Sequence, residues 1–158
     1  RCVSLGFPGP GAGLGWDTHA NNDDTQSTLF EGLFNGLGQL GEILATTPGT
    51  AADTLAEETI VVVLSEMGRT PQLNATAGKD HWPYTSVMVL GDGITGDRVV
   101  GGYDAAYAGL SVDPTSARVD SAGPVLSVES VGAALLQLAG EDPGAWLNGF
   151  DPLTGVLA

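Results

Sequence analysis

Residues Thr59 to Ser65 read TIVVVLS, an unbroken β-branched and apolar run. A strand with one wet face alternates apolar and polar side chains, so this run predicts a central strand covered on both faces. Helices must supply the cover, and the chain offers them. Leu29, Phe30, Leu33, Phe34, Leu37, Leu40 and Leu44 recur at helical intervals. Thr28 and Glu31 have the spacing of a capping box at the start of that helix. Gly32, Gly36, Gly38 and Gly41 weaken it by about 1 kcal/mol each relative to Ala, so packing must compensate. The segment Thr47 to Thr50 ends it.

A short strand over Cys2 to Phe7 and a glycine- and proline-rich loop over Pro8 to Gly15 precede the helix. Polar residues from Trp16 to Asp24 continue the loop. Strand, helix and strand form a crossover unit of a doubly wound sheet. Further strands are expected at Ser86 to Leu90 and, near an edge, Arg98 to Tyr103. Residues 104–126 read as irregular loop. Ser127 caps a last helix, whose Val128, Val131, Leu135, Leu136 and Leu138 supply a buried face up to Gly140. The expectation is one α/β domain over residues 1–158, with a mostly parallel sheet flanked by helices.

Charge narrows the partners. Nineteen acidic side chains against 5 basic ones give a net charge of −14, so nucleic acid and anionic membranes are not expected partners. Cys2 is the single cysteine, which excludes an intrachain disulfide and a cysteine zinc knuckle. No apolar run approaches the roughly 20 residues of a membrane span. The first residue is Arg1, not Met, and it stands directly before an apolar stretch, so the chain is read as a piece of a longer protein.

In open α/β sheets, ligands bind beyond the carboxyl ends of the strands. Two motifs fall there, Gly15-Trp16-Asp17-Thr18-His19 and Ser65-Glu66-Met67-Gly68-Arg69-Thr70-Pro71, and a third, Lys79-Asp80-His81-Trp82, lies in the loop leading into the next strand. If the loop bearing the third folds back over the same edge, both histidines of the chain converge with Asp17, Asp80 and Glu66. Imidazole nitrogen with carboxylate oxygen suits zinc, manganese or iron, and three protein ligands leave a position open. A hydrogen-bonded surface role accounts equally for the histidines, and a salt bridge to Arg69 for Glu66. Arg69 and Lys79 would hold an anionic substrate group or, alternatively, pair with Glu66 and Asp80. Trp16 and Trp82 would wall the pocket or pack in the core. Asn21, Asn22, Asp23 and Asp24 could take calcium, although a polar entry turn into a helix explains them as well. Asn74-Ala75-Thr76 matches a glycosylation acceptor.

The stretches GWDTHANN (Gly15 to Asn22), VVVLSEMGRTP (Val61 to Pro71) and GKDHWP (Gly78 to Pro83), with GYD at Gly102 to Asp104, resemble a bacterial family called domain of unknown function 1501. Its members look like relatives of alkaline phosphatases and sulfatases. The resemblance implies an alkaline-phosphatase-like sheet, incomplete here at its amino-terminal side, in an exported, periplasmic or extracellular protein. The missing amino-terminal remainder would be the chain's natural partner and would carry the nucleophile. Asp17, His19 and His81 would then hold one metal, and Glu66 would bridge toward a second. Met67 departs from the pattern, because a thioether stands where a histidine ligand is expected. The expected function is a metal-dependent hydrolase acting on phosphate or sulfate esters, with zinc first among manganese, iron and calcium. The alternative is a non-catalytic exported protein that keeps the fold for binding or assembly.

Overall fold

A computed structural model describes residues 2–9 and 15–158. Arg1 and residues 10–14 of the glycine-rich loop lie outside the described residues. The chain gathers into two compact units, Arg1–Thr59 with Val63–Val87 and Ile60–Val62 with Met88–Ala158.

The first unit is built on a long helix, α1 (Asn22–Thr46). It starts six residues before Thr28, and Asn21 precedes it in a left-handed conformation with φ 48° and no side-chain cap. Thr28 therefore lies inside the helix, where its hydroxyl donates to the Asp24 carbonyl at 3.1 Å instead of capping. Asp23 and Asp24 occupy the first turn, where the helix dipole favours negative charge. The helix stops at Thr47, which is extended (ψ 128°) because the following Pro48 excludes the helical conformation. A 3₁₀ turn (Leu55–Glu58) then packs back on α1. The Glu58 carboxylate closes the intervening loop, accepting from the Thr50 hydroxyl and from the amides of Ala51 and Ala52. Strands β2 (Gly68–Arg69) and β3 (His81–Trp82) pair antiparallel, with Gly68 opposite Trp82 and Arg69 opposite His81.

Strand β1 (Val61–Val63), of which Val61 and Val62 belong to the second unit, pairs with β4 (Met88–Leu90), and within that unit β5 (Val112–Asp113) forms an antiparallel hairpin with β6 (Arg118–Val119). Asp113 fixes the hairpin turn by accepting from the amide and hydroxyl of Thr115 and the hydroxyl of Ser116. The helix α2 (Val128–Leu138) is capped by Ser127, whose hydroxyl accepts from the Ser130 amide. Val112, Ala117, Ala134 and Leu153 form the buried core, with Val100, Leu126, Val131, Val156 and Leu157 around it.

The mostly parallel, alkaline-phosphatase-like sheet flanked by helices is not what the chain forms. Among the described residues there are three separate two-stranded sheets, with strands of two or three residues and two antiparallel registers. TIVVVLS contributes only Val61–Val63, half-buried, and its Leu64 is 62% exposed. Cys2 to Phe7 has no strand partner and exposes Val3 and Leu5. A β-branched run favours an extended backbone, but a sheet needs neighbours that supply ladder hydrogen bonds, and these segments have few or none. Arg98 to Tyr103 likewise forms no strand, whereas residues 104–126, read as irregular, contain the β5–β6 hairpin. Val128 is 71% exposed, so α2 buries a narrower face of Ser130, Ala133 and Ala134. No helix among the described residues is long and apolar enough to cross a membrane.

Candidate metal centre

Backbone hydrogen bonds join three segments of the first unit. The Asn22 amide donates to the Ala77 carbonyl at 2.8 Å and the Lys79 amide to the Thr18 carbonyl at 3.0 Å, laying residues 18–22 along residues 76–79. Ala20 bridges Ala77 in the antiparallel sense. The Thr70 amide donates to the Asp80 carbonyl at 2.9 Å, continuing the β2–β3 ladder. Gly78 permits the close approach: a Cβ there would collide with the backbone of His19 and Ala20. Gly68 is under the same constraint from the Tyr84 carbonyl.

This weave brings Asp17, His19 and His81 together. His19 Nε2 lies 3.2 Å from His81 Nε2 and 3.2 Å from Asp17 Oδ1, and His81 Nε2 lies 3.1 Å from the same oxygen. The three donor atoms form a nearly equilateral triangle, about half-exposed to solvent. Donors on a tetrahedral zinc ion with bonds of about 2.0–2.1 Å stand about 3.3 Å apart, so the triangle has the dimensions of one face of such a site.

Asp80 stands behind the triangle. Its Oδ1 accepts from His19 Nδ1 at 3.0 Å. Hydrogen bonds from His19 and Asn74 hold the Asp80 carboxyl below the usual carboxylate range. An ionised carboxylate only accepts, so Nδ1 carries a hydrogen, and with no second hydrogen on the ring Nε2 presents a lone pair to the triangle. This is the carboxylate–histidine arrangement that orients metal-bound imidazoles. Asp17 is also ionised: hydrogen bonds from Arg69 and His81 lower its pKa. Two imidazole lone pairs and a carboxylate oxygen facing one another at 3.1–3.2 Å would repel, so without a cation a hydrogen stands between them, on His81 Nε2, from which it is donated to Asp17 Oδ1.

The sequence model of a family described as Protein of unknown function (DUF1501) matches residues 1–121. The chain belongs to this family. No curated protein and no solved structure matches it. The region of the DUF1501 match holds the whole triangle and its surrounding bonds, while α2 lies beyond it.

The other residues singled out in this DUF1501 protein take different places. Arg69 is 14% exposed and turned inward: its guanidinium donates to Asp17 Oδ1, to the Trp16 carbonyl at 3.0 Å and to the Lys79 carbonyl at 3.0 Å. Glu66 is exposed and makes no hydrogen bond or ion pair to the cluster or to Arg69. The half-buried Lys79 side chain forms no ion pair among the described residues, and its backbone lies directly beside Asp80 and His81. Trp16 stacks edge-on against Phe30 at 5.1 Å and donates to the Phe7 carbonyl, and Trp82 contacts Tyr84. Asn74, Thr76 and Gly78 were not foreseen as parts of the site. The signal available for them was turn chemistry, an Asn four residues before a Gly, in a segment read only for glycosylation.

Proposed function

We propose that this protein holds a divalent cation, zinc foremost, on Asp17, His19 and His81, and that the centre serves hydrolysis of phosphate or sulfate esters. The triangle of Nε2, Nε2 and Oδ1 atoms at 3.1–3.2 Å supports the metal. Two imidazole nitrogens with one carboxylate oxygen favour zinc, manganese or iron over calcium, which prefers six to eight oxygens. A bound cation would polarise the ester oxygen and lower the pKa of a coordinated water. Asp80 keeps the His19 proton on Nδ1, and Lys79 offers the ammonium that would pair with the ester's anionic group. The substrate class rests on the resemblance of the three motifs to the DUF1501 family, whose members look like relatives of alkaline phosphatases and sulfatases. That kinship extends to the motifs alone, since the sheet differs.

The test compares wild type with a His19→Ala, His81→Ala double variant by metal mass spectrometry. Stoichiometric metal in the wild type and none in the variant is expected; equal content in both discards the centre. Ester turnover by the full-length parent that vanishes with chelator would support hydrolysis. Export across the cytoplasmic membrane belongs to the same reading and is checked by cell fractionation of that parent; retention in the cytoplasm would reject it.

One observation favours a non-catalytic protein that binds or assembles. Arg69, the cation best suited to grip an oxyanion, already directs its hydrogen bonds to Trp16, Lys79 and Asp17. Metal loading without turnover on any generic phosphate or sulfate ester would favour that reading.

A further inference from the structure

We infer that Asn74 is a positioning residue that fixes the tautomer of His19 by holding Asp80, so the Asn74-Ala75-Thr76 triplet serves the centre rather than glycosylation. This role rests on the metal-centre reading for its effect on affinity, while its effect on the tautomer stands without a metal.

The orientation of the Asn74 amide is set by donors that cannot reverse. The backbone amides of Thr76 and Gly78 reach its Oδ1 at 3.0 and 2.9 Å, and an amide N–H only donates. The oxygen must therefore face the turn, which leaves Nδ2 facing the centre. From there Nδ2 donates to Asp80 Oδ1 at 3.1 Å and to the His19 carbonyl at 3.1 Å. The Thr76 hydroxyl lies 2.8 Å from both the His19 carbonyl and Asn74 Oδ1, closing the group. Asn74 thus touches the backbone of His19 and the carboxylate that receives the His19 Nδ1 proton. Both Nδ2 hydrogens are engaged, so a glycan on this nitrogen would displace either the bond to Asp80 or the bond to the His19 carbonyl.

Without Nδ2, Asp80 loses the donor that holds its oxygen against His19 Nδ1. The ring is then free to place its proton on Nε2, which removes the lone pair from the triangle. Loss of outer partners of this kind lowers metal affinity about 10–100-fold.

The variant Asn74→Asp separates positioning from loop structure, because a carboxylate still accepts from the Thr76 and Gly78 amides but cannot donate to Asp80. The chain has only 2 histidines, so ring nitrogen NMR of the metal-free protein at alkaline pH reads each tautomer directly. The expected result is a single Nδ1–H tautomer for His19 in the wild type and a mixture in N74D. Zinc affinity should fall about 10–100-fold in the variant. A wild-type tautomer in N74D overturns the inference whatever its affinity. If the wild type binds no zinc, the metal centre fails, yet a tautomer shift in N74D still upholds the role of Asn74. Should N74D not fold, Asn74→Ser, whose hydroxyl accepts from turn amides but is too short to reach Asp80, is read the same way.

Discussion

Arg69 links the turn at Trp16 and Asp17 to the Lys79 carbonyl at the foot of β3. Its ion pair with Asp17 reaches an acid that is 60% exposed and adds little by itself, whereas the bonds to the two carbonyls sit in a half-buried setting. Truncation leaves the Lys79 carbonyl without this donor, and Arg69→Ala is expected to destabilise the first unit by about 1–3 kcal/mol in urea melts. Arg69→Lys keeps the charge but not the planar fork, and should recover only part of that loss. At this scale the sequence was partly legible. The only two histidines stand near aspartates, which singles out Asp17, His19 and His81 by residue type. Whether Asp80 touches a metal or a ring nitrogen depends on which way His19 turns, and nothing in the spacing of residues 79–82 expresses that.

Among the elements, the crossing of residues 18–22 over residues 76–79 depends on Gly78. A methyl group there meets backbone, which cannot rotate aside as a side chain could. Gly78→Ala should therefore cost about 1–3 kcal/mol and pull His19 away from His81, with metal retention measured on the same protein as the control. The loop closed by Glu58 answers to pH. Hydrogen bonds from the Ala52 and Ala51 amides and the Thr50 hydroxyl lower its pKa from 4.5 to about 2. A lowered folded-state pKa favours the folded form while the group is ionised. That contribution is complete above pH 4.5, declines below it and is gone by about pH 2. Glu58→Gln should be less stable than wild type at neutral pH, and the gap between their urea midpoints should close across that acid range. The elements that were legible are the local ones. Ser127 and the apolar spacing behind it give α2 its start and length, because both act within one or two turns. The start of α1 is less legible, since Asn21 to Asp24 suit a turn as well as a first helical turn. The long strand over TIVVVLS failed because pairing depends on distant segments.

For the whole molecule, the centre lies entirely within the unit Arg1–Thr59 with Val63–Val87. It ties together positions more than 60 residues apart, as between His19 and His81. A cation that binds only this assembled geometry stabilises it by mass action, about 2.7 kcal/mol when free metal is a hundredfold above Kd. Zinc should therefore slow amide hydrogen exchange at residues 18–22 and 76–81 in the wild type, and leave the His19→Ala, His81→Ala variant unchanged. The fold class was the least legible property, because layer architecture is set by which segments find partners, and composition carries no record of that.

The crowding of like-signed lone pairs at Asp17, His19 and His81 has a thermodynamic signature of its own. An arriving cation takes the place of the hydrogen on His81 Nε2, which passes either to the far nitrogen of the same ring or to the medium. Release to the medium makes the titration heat change with the ionisation enthalpy of the buffer, Tris differing from phosphate by the proton it captures. Identical heats in the two buffers would mean that nothing leaves when the cation enters.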